Sequence, residues 1–557
     1  MNQPVGVLAA LESHAQSRGE RDAFLFLGRG EEVTERLSWP MLAREVDQIA
    51  RGLAAEGLAG CTLALVFPPG LGFIAAFLAC LRVSAVAVPM LRPVMADQRE
   101  RLALLMADAQ PDAMIVAGEE DAGAPWAAAR TIALPRLLRA AHALPPMPPP
   151  EAPAFVQYTS GSTRSPRGIV LTHGNIAANL AMIRQRFGLD AGGIGVSWLP
   201  HHHDMGLIGA ILEPVLLGAL AVLMPPMAFL QRPLRWLRAI ARHGATTAGG
   251  PSFGYGLLTR RVSEADLRAL DLSAWTVAFC GAEPIRQRVL QDFAARFAPA
   301  GFRPSAFLPC YGLAEATLLV TGRDAGSGLR LVGRAGDAGA SRVALGRPAP
   351  GCDLLLADEA GAHAPDEGRE GEICVAGPHV SPGFWCGETR AVLPHPGGFE
   401  AVGKHFLRTG DLGAVLEGEL VVLDRLKDVV AIHGRKLHAT DIEGTLLEAA
   451  LDEEVLAAAA FGVIGAGNEE RLVVLCETGN RDLEAAAAVI PALSALVAER
   501  HGVVPHLALL RHGALPRTSS GKVRRQAAKA AWAEGLLATR EAAPLHPQPA
   551  MADRTGP

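Results

Sequence analysis

One stretch constrains this chain more than any other: Gln157-Tyr158-Thr159-Ser160-Gly161-Ser162-Thr163-Arg164-Ser165-Pro166-Arg167-Gly168. The apolar Ala154-Phe155-Val156 before it reads as a short buried strand, and a helix is expected to open near Thr172. A loop of hydroxyl and glycine residues where a strand hands over to a helix suits a phosphate. Backbone N–H and side-chain O–H groups can close around the oxyanion, and Arg164 and Arg167 supply charge-assisted donors. A flexible Ser/Gly linker has a similar composition, but this loop is short, ordered by Pro166 and flanked by strand residues. It lacks the Gly-Lys-Ser/Thr ending of a Walker A loop.

The rest of the chain must supply partners for that loop. At 557 residues it exceeds one compact core, so two or more domains are expected. A net charge of −5 with no basic block argues against a nucleic-acid role. Eight cysteines without a Cys-x-x-Cys pair, and a beginning without a secretory pattern, fit a reducing, cytoplasmic compartment. The longest apolar run, from Leu207 to Leu230, is interrupted by Glu213, Pro214, Pro225 and Pro226. A buried helix followed by a strand is expected there, and no transmembrane segment.

Residues 1 to about 150 alternate helix and strand. Met41 to Leu53 is apolar at helical spacing, Leu63-Ala64-Leu65-Val66-Phe67 reads as a buried strand, and a second helix and strand run from Phe73 to Val88. Such alternation implies parallel, doubly covered sheets, an α/β fold. The Pro-rich stretch from Leu144 to Pro150 is an extended connector into the phosphate-loop strand. Further on, Pro200-His201-His202-His203-Asp204-Met205-Gly206 invites a metal reading. Adjacent side chains on an extended segment alternate faces, so at most two could converge on one ion, and Pro200 and Gly206 suggest a loop.

With the motifs in view the chain resembles the adenylate-forming superfamily of acyl-CoA synthetases and adenylation domains, over roughly residues 20 to 535. Thr159-Ser160-Gly161-Ser162-Thr163 with the ending Pro166-Arg167-Gly168 is similar to its phosphate loop, and Arg164 replaces the Gly that most CoA ligases have there, which favours the fatty acyl-AMP ligase branch. His203-Asp204-Met205-Gly206-Leu207-Ile208-Gly209 resembles a motif of the fatty acyl-AMP ligase branch, which implies that His203 lies near the acyl-phosphate junction, with a structural histidine as the alternative. Gly281-Ala282-Glu283 and Tyr311-Gly312-Leu313-Ala314-Glu315 follow apolar strands, where open α/β sheets bind ligands. The resemblance implies that the first frames adenine, that Tyr311 stacks on it beside Gly312, and that Glu315 holds Mg²⁺.

In amino-acid-activating relatives an Asp follows the Phe of the substrate pocket. Here the matching stretch is Gly250-Pro251-Ser252-Phe253-Gly254, without a carboxylate, so an apolar acid is implied, lined by Met205, Gly250, Phe253 and Gly254. Asp411 in Arg408-Thr409-Gly410-Asp411 would take the ribose hydroxyls, Arg425 would reach the ribose-phosphate, and Lys427 would be the pivot. Asp424 stands where the family usually has Gly, and Arg167 where it usually has Lys. Lys522, in Ser519-Ser520-Gly521-Lys522, matches the catalytic lysine.

The expected layout is an N-terminal adenylation domain over 1–423, built of parallel doubly covered sheets plus a small β unit. A hinge at 424–430, a small mobile α+β C-terminal domain over 431–538 and a disordered tail over 539–557 follow. The implied reaction joins a fatty acid to AMP from ATP with Mg²⁺, then passes the acyl group to the phosphopantetheine of an acyl carrier protein. CoA is the alternative acceptor, because the stretch 318–345 is shorter than the insertion that fatty acyl-AMP ligases carry there. A non-catalytic adenylate-binding protein is the remaining alternative, resting on Asp424 and Arg167.

Overall fold

The structure is a computed structural model that describes residues 6–139, 142–158, 166–333, 341–432, 435–449, 455–465, 469–480, 482–517, 522–537 and 539–541. The chain divides into two compact units. One comprises the described residues within 1–159, 165–409 and 414–421, the other those within 410–413 and 422–557.

Two large sheets dominate the first unit. In one, the strands Phe307–Gly312, Val277–Cys280, Thr247–Gly250, Ile194–Ser197, Leu220–Leu223 and Asp22–Leu27 lie side by side and parallel, closed at the Asp22 end by antiparallel Val33–Ser38. In the other, Pro153–Tyr158, Val86–Leu91, Thr62–Phe67, Ala113–Val116 and Thr131–Ala133 are parallel. The helix Leu71–Arg82 packs on strands of both sheets, which is why it is apolar all round: Leu71 and every residue from Phe73 to Leu81 are buried. Ser38 caps the helix Trp39–Ala55 by accepting from Met41 N–H, with Pro40 in its first turn. The α/β reading of the sequence therefore holds.

Three local expectations need correction. The loop after Tyr158 does not run from a strand into a helix, because Gly168–Thr172 is itself a strand that turns back to pair antiparallel with Pro153–Tyr158, Val170 lying opposite Val156. Ile169, Val170 and Leu171 are β-formers that bury completely, and only then does Thr172 cap the helix His173–Phe187. The apolar run after His203 opens as a π-helix, Met205–Leu212, in which Glu213 N–H donates to the Ile208 carbonyl five residues back, so Gly206 lies in a helix and not a loop. At the other end, Arg540–Glu541, placed in the tail by sequence, pair with Ala508–Leu509. Among the described residues no helix is long and apolar enough to cross a membrane.

The second unit is built on the sheet Ala457–Ile464, Glu470–Thr478, His506–Arg511 and Arg540–Glu541. Its strands are covered on both faces. Ala458, Ala460, Val474, Cys476 and Leu509 join one core with Leu446, Leu493 and Val497, while Ala459, Phe461, Val473, Leu475 and Leu510 join another with Leu515, Ala528 and Trp532.

Candidate active site

In the first unit the motifs meet at the C-terminal ends of neighbouring parallel strands. Gly250 lies opposite Cys280, and Cys280 opposite Pro309, so Gly250, Gly281 and the Tyr311-Gly312 pair emerge side by side at one edge. Their backbones are tightly fitted. A Cβ on Gly312 would fall 1.6 Å from the Leu318 carbonyl oxygen. Ala282 adopts φ +68°, and the β-branched Thr317 adopts φ +67°, a conformation found mostly where function requires it.

Glu283 does not stand open toward a ligand. Its Oε1 accepts from Ser252 Oγ at 2.7 Å and from Phe253 N–H at 2.9 Å, at the start of the helix Ser252–Arg261. A carboxylate at a helix N-terminus is favoured by the exposed N–H groups and the helix dipole. Glu283 thereby ties the expected adenine frame to the expected acyl pocket.

That pocket centres on a residue the motif reading overlooked, Trp198. Its Cζ2 edge lies 3.2 Å from where a Cβ on Gly250 would sit, and 3.2 Å from one on Gly254. Phe229 stacks on its ring at 4.2 Å between centroids, and Phe253 meets it edge-on at 5.8 Å. Both glycines let the backbone pack directly against the indole, where a Cβ would be crowded, and position 254 itself carries no carboxylate. Met205 begins the π-helix nearby in sequence, its N–H bonded to Asp204 Oδ1 at 2.7 Å.

The three histidines separate by environment. His201 is buried against the Phe73 ring at 4.2 Å, and burial brings its pKa down to about 4. Burial holds His202 well below the ordinary imidazole value, and its carbonyl accepts from Gln157 Nε2 at 2.8 Å. That bond fastens the histidine turn to the strand leading into residues 159–165. His203 sits in the same turn, its N–H on the Pro200 carbonyl at 3.1 Å and its carbonyl taken by Leu207 N–H at 2.7 Å. Thr159, Ser160, Gly161, Ser162, Thr163 and Arg164 lie outside the described residues.

Glu315 occupies a single 3₁₀ turn, Ala314–Ala316, just after the Tyr311 strand. The turn is fastened to residues 379–381: Ser381 N–H donates to the Glu315 carbonyl at 2.8 Å, and Thr317 Oγ1 to the His379 carbonyl at 2.7 Å. The same segment receives Asn175 Nδ2, which donates to the Pro378 and Val380 carbonyls at 2.8 and 2.9 Å from the first turn of the helix after the phosphate loop. Residues 378–381 thus brace both the helix beyond the phosphate loop and the expected metal carboxylate. Nothing in their local sequence signals it, because their partners lie about 60 and 200 residues away. Among the described residues no cluster of three or more His, Cys, Asp or Glu could hold a metal by itself. One glutamate that leaves the other positions to phosphate and water oxygens is the donor set that suits Mg²⁺.

In the second unit, Asp411 is buried and forms an ion pair with Arg425, Oδ1 to Nε 3.1 Å. Both residues expected at the ribose therefore belong to one pair. Lys427 follows in the 3₁₀ turn Leu426–Asp428; burial and the Arg425 charge bring its pKa down. Asp424 is buried and bonded: Oδ1 accepts from Arg425 N–H at 2.8 Å and lies 3.3 Å from Arg525 Nη1, and Oδ2 accepts from Thr440 N–H at 3.3 Å. Arg525, which also engages Asp428 and both oxygens of Glu443, was likewise missed from sequence. Lys522 stands just before Val523, which bridges back to Arg517.

Comparison with known proteins agrees with this arrangement. Residues 11–385 match the AMP-binding enzyme family. A medium-chain-fatty-acid–[acyl-carrier-protein] ligase of Moorena producens is 33% identical, over 95% of this chain and 95% of that protein. A long-chain-fatty-acid–AMP ligase of Mycobacterium marinum is also 33% identical, over 93% and 95%. A solved structure from work on the fatty acyl-adenylate ligases of E. coli and L. pneumophila superposes with a TM-score of 0.83 at 32% identity, covering 96% of this chain and 99% of its own. With its glycine-bearing motifs at the ends of parallel strands and full-length relatives among the fatty acyl-AMP ligases, the chain belongs to the AMP-binding, adenylate-forming enzyme family.

Proposed function

We propose that this protein is a fatty acyl-AMP ligase: it activates a fatty acid with ATP to an acyl adenylate and passes the acyl group to the phosphopantetheine thiol of an acyl carrier protein. The observation that carries the choice of acid is the largely apolar wall formed by Trp198, Phe229, Phe253, Gly250 and Gly254. An α-ammonium set there would lose its hydration, with the neighbouring Glu283 carboxylate already engaged by Ser252 and Phe253, whereas an alkyl chain gains by burial. The full-length match to ligases named for acyl carrier protein and for AMP supports the same reading.

In the first half-reaction a carboxylate oxygen attacks the α-phosphorus and pyrophosphate leaves. Two anions approach, so the barrier is largely electrostatic, and Lys522 would neutralise charge between carboxylate and α-phosphate. Bound Mg²⁺, on Glu315, would offset the charge of the phosphate oxygens. Arg425 and Asp411 would hold the ribose and its phosphate, Tyr311 the adenine, and His203 the junction of acyl group and phosphate. In the second half-reaction the thiol sulfur attacks the acyl carbonyl, AMP departs with the bonding electrons, and the thiol proton is released. CoA remains the alternative thiol, favoured by the shortness of residues 318–345.

The test is an acceptor assay with ATP, Mg²⁺ and a radiolabelled fatty-acid series, followed by CoA or holo acyl carrier protein. Acyl-AMP that persists with CoA and discharges onto the carrier supports the proposal. Efficient acyl-CoA formation replaces it with a synthetase, and absence of any adenylate replaces it with an adenylate-binding protein.

A further inference from the structure

Glu477 breaks the pattern of its own strand. In Glu470–Thr478 the residues Val473 and Leu475 face the core shared with Leu515, Ala528 and Trp532, and position 477 continues that face. The alternation asks for an apolar side chain, yet a glutamate with no solvent exposure stands there. Both of its oxygens are engaged. Oε1 accepts from Leu515 N–H at 2.7 Å and Oε2 from Arg517 Nη2 at 2.6 Å, with His512 Nδ1 3.7 Å from Oε2. All three partners lie in the segment that leads to Lys522.

The same segment is closed on its far side. Arg517 forms an antiparallel bridge with Val523, and Arg524 N–H donates to the Pro516 carbonyl at 2.8 Å. The chain therefore leaves at Arg517 and returns at Val523, one residue after Lys522, to a point fixed on the buried carboxylate. A charge this deeply buried is disfavoured unless paired, and here its partners are the foot of one loop.

We propose that Glu477 is a positioning residue for Lys522: it fastens the foot of the lysine loop to the sheet, so that the ammonium is delivered to one place when the acyl–phosphate bond forms. The inference rests on the proposed role of Lys522 in adenylation. A lysine side chain has four rotatable bonds to fix, and misplacement of a reacting group by about 1 Å can lower a rate roughly 100-fold. Glu477, with no solvent exposure, would act only through that loop.

The experiment uses the full-length protein, ATP, Mg²⁺ and a fatty-acid series, with hydroxylamine to trap the acyl adenylate. Variants are Glu477→Gln, Glu477→Asp, Lys522→Ala and the double variant Glu477→Gln/Lys522→Ala. Arg517→Met accompanies them because Arg517 is partly exposed, its side chain at 34%, so that the chain can fold even if position 477 does not tolerate change. The expected result is a fall in kcat of about 10-fold or more for Glu477→Gln and Arg517→Met, with KM for ATP and acid changed less than about threefold. Glu477→Asp should recover part of the loss, and the double variant should be no slower than Lys522→Ala alone, since both changes remove one function. Losses that multiply in the double variant, or folded Arg517→Met with normal kcat, overturn the inference. Silence from the wild-type protein across the whole acid series would sink the proposed function and this inference with it. An active wild type with unaffected variants sinks this inference alone.

Discussion

Arg525 holds three carboxylates at once, and its removal should be the most damaging single change in the second unit. Its Nε lies 2.6 Å from Glu443 Oε1 and its Nη2 2.8 Å from Oε2, while Nη1 is 3.0 Å from Asp428 and 3.3 Å from Asp424. The side chains of Asp424 and Asp428 are only 1% and 8% exposed. Replacing Arg525 by Met keeps much of the volume and leaves three acids facing one another. Breaking a buried ion pair from one side costs about 3–5 kcal/mol. Asp424→Asn, by contrast, leaves Arg525 paired with Glu443 and Asp428, and should cost about 1 kcal/mol. At roughly 4 °C per kcal/mol the first variant should lower the Tm of this unit by about 12–20 °C, the second by only a few degrees.

The pH dependence discriminates further. Burial already raises the Asp424 carboxyl, and Arg525 opposes that rise. Without the guanidinium the Asp424 carboxyl rises further above its unfolded value, so the folded state holds the extra proton. The stability it contributes is then present at low pH and lost as pH rises. The deficit of Arg525→Met should therefore shrink between pH 8 and pH 5. Calorimetry or circular dichroism of the full-length protein reads both effects. A deficit below about 1 kcal/mol, or one that does not change with pH, would refute the account of this cluster.

Three further outcomes are expected. Gly312→Ala places a Cβ 1.6 Å from the Leu318 carbonyl oxygen, a backbone atom, and should cost about 3 kcal/mol or more, read as a lower Tm; an unshifted Tm would mean that the two strands part freely. Gly254→Val puts a branched side chain against Trp198 and Phe229, where a Cβ already lies 3.2 and 3.6 Å from the rings, and pushes that wall inward, so kcat/KM should fall most for the longest accepted acid, by roughly 10-fold or more relative to the shortest, and an equal fall across the series would move the acyl chain elsewhere. His379 is buried with neither ring nitrogen hydrogen-bonded among the described residues, and burial brings its pKa down to about 4. The stability of its neutral form is present above the ordinary imidazole pKa and lost as pH falls through about 4. His379→Leu should therefore lose less Tm than wild type between pH 7 and pH 4.5, the histidine accounting for up to about 3 kcal/mol; equal acid sensitivity would refute this.

What could be read from the chain alone depended on how local the signal was. Leu63 to Phe67 and Leu71 to Arg82 were legible as strand and helix because burial on every side leaves an unbroken apolar run. The strand-end motifs at Gly281 and Tyr311 were legible because parallel strands bury completely and end in small residues. The hairpin around the phosphate loop was not, since Ile169-Val170-Leu171 is equally apolar in a helix or a strand and only its pairing with Phe155 to Gln157 decides. Trp198 stood beside the histidine motif, but its relation to Gly250 and Gly254 arises from strand adjacency some 50 residues apart. Asp424 read as a steric departure at a hinge, whereas its partner Arg525 lies 101 positions away and turns it into one corner of an ion cluster. Glu477 left a legible trace, an acid in an alternating apolar strand, though its purpose needed Arg517 to be seen beside it.

The wide turn at Met205–Leu212 has a consequence for how this segment tolerates changes in length. Each residue of an α-helix turns the chain by about 100°, so a helix that loses its five-residue spacing to a single deletion would swing everything ahead of it by a comparable angle. His203 and Asp204 lie at that leading end, and Gly206 is packed so closely on Pro200 that a Cβ would fall 2.0 Å from its carbonyl oxygen, leaving little play to absorb the swing. A library that varies side chains here can keep the histidine aimed. One that varies the number of residues cannot, and a graft of the His-Asp-Met-Gly stretch onto another scaffold must carry the whole run through Leu212.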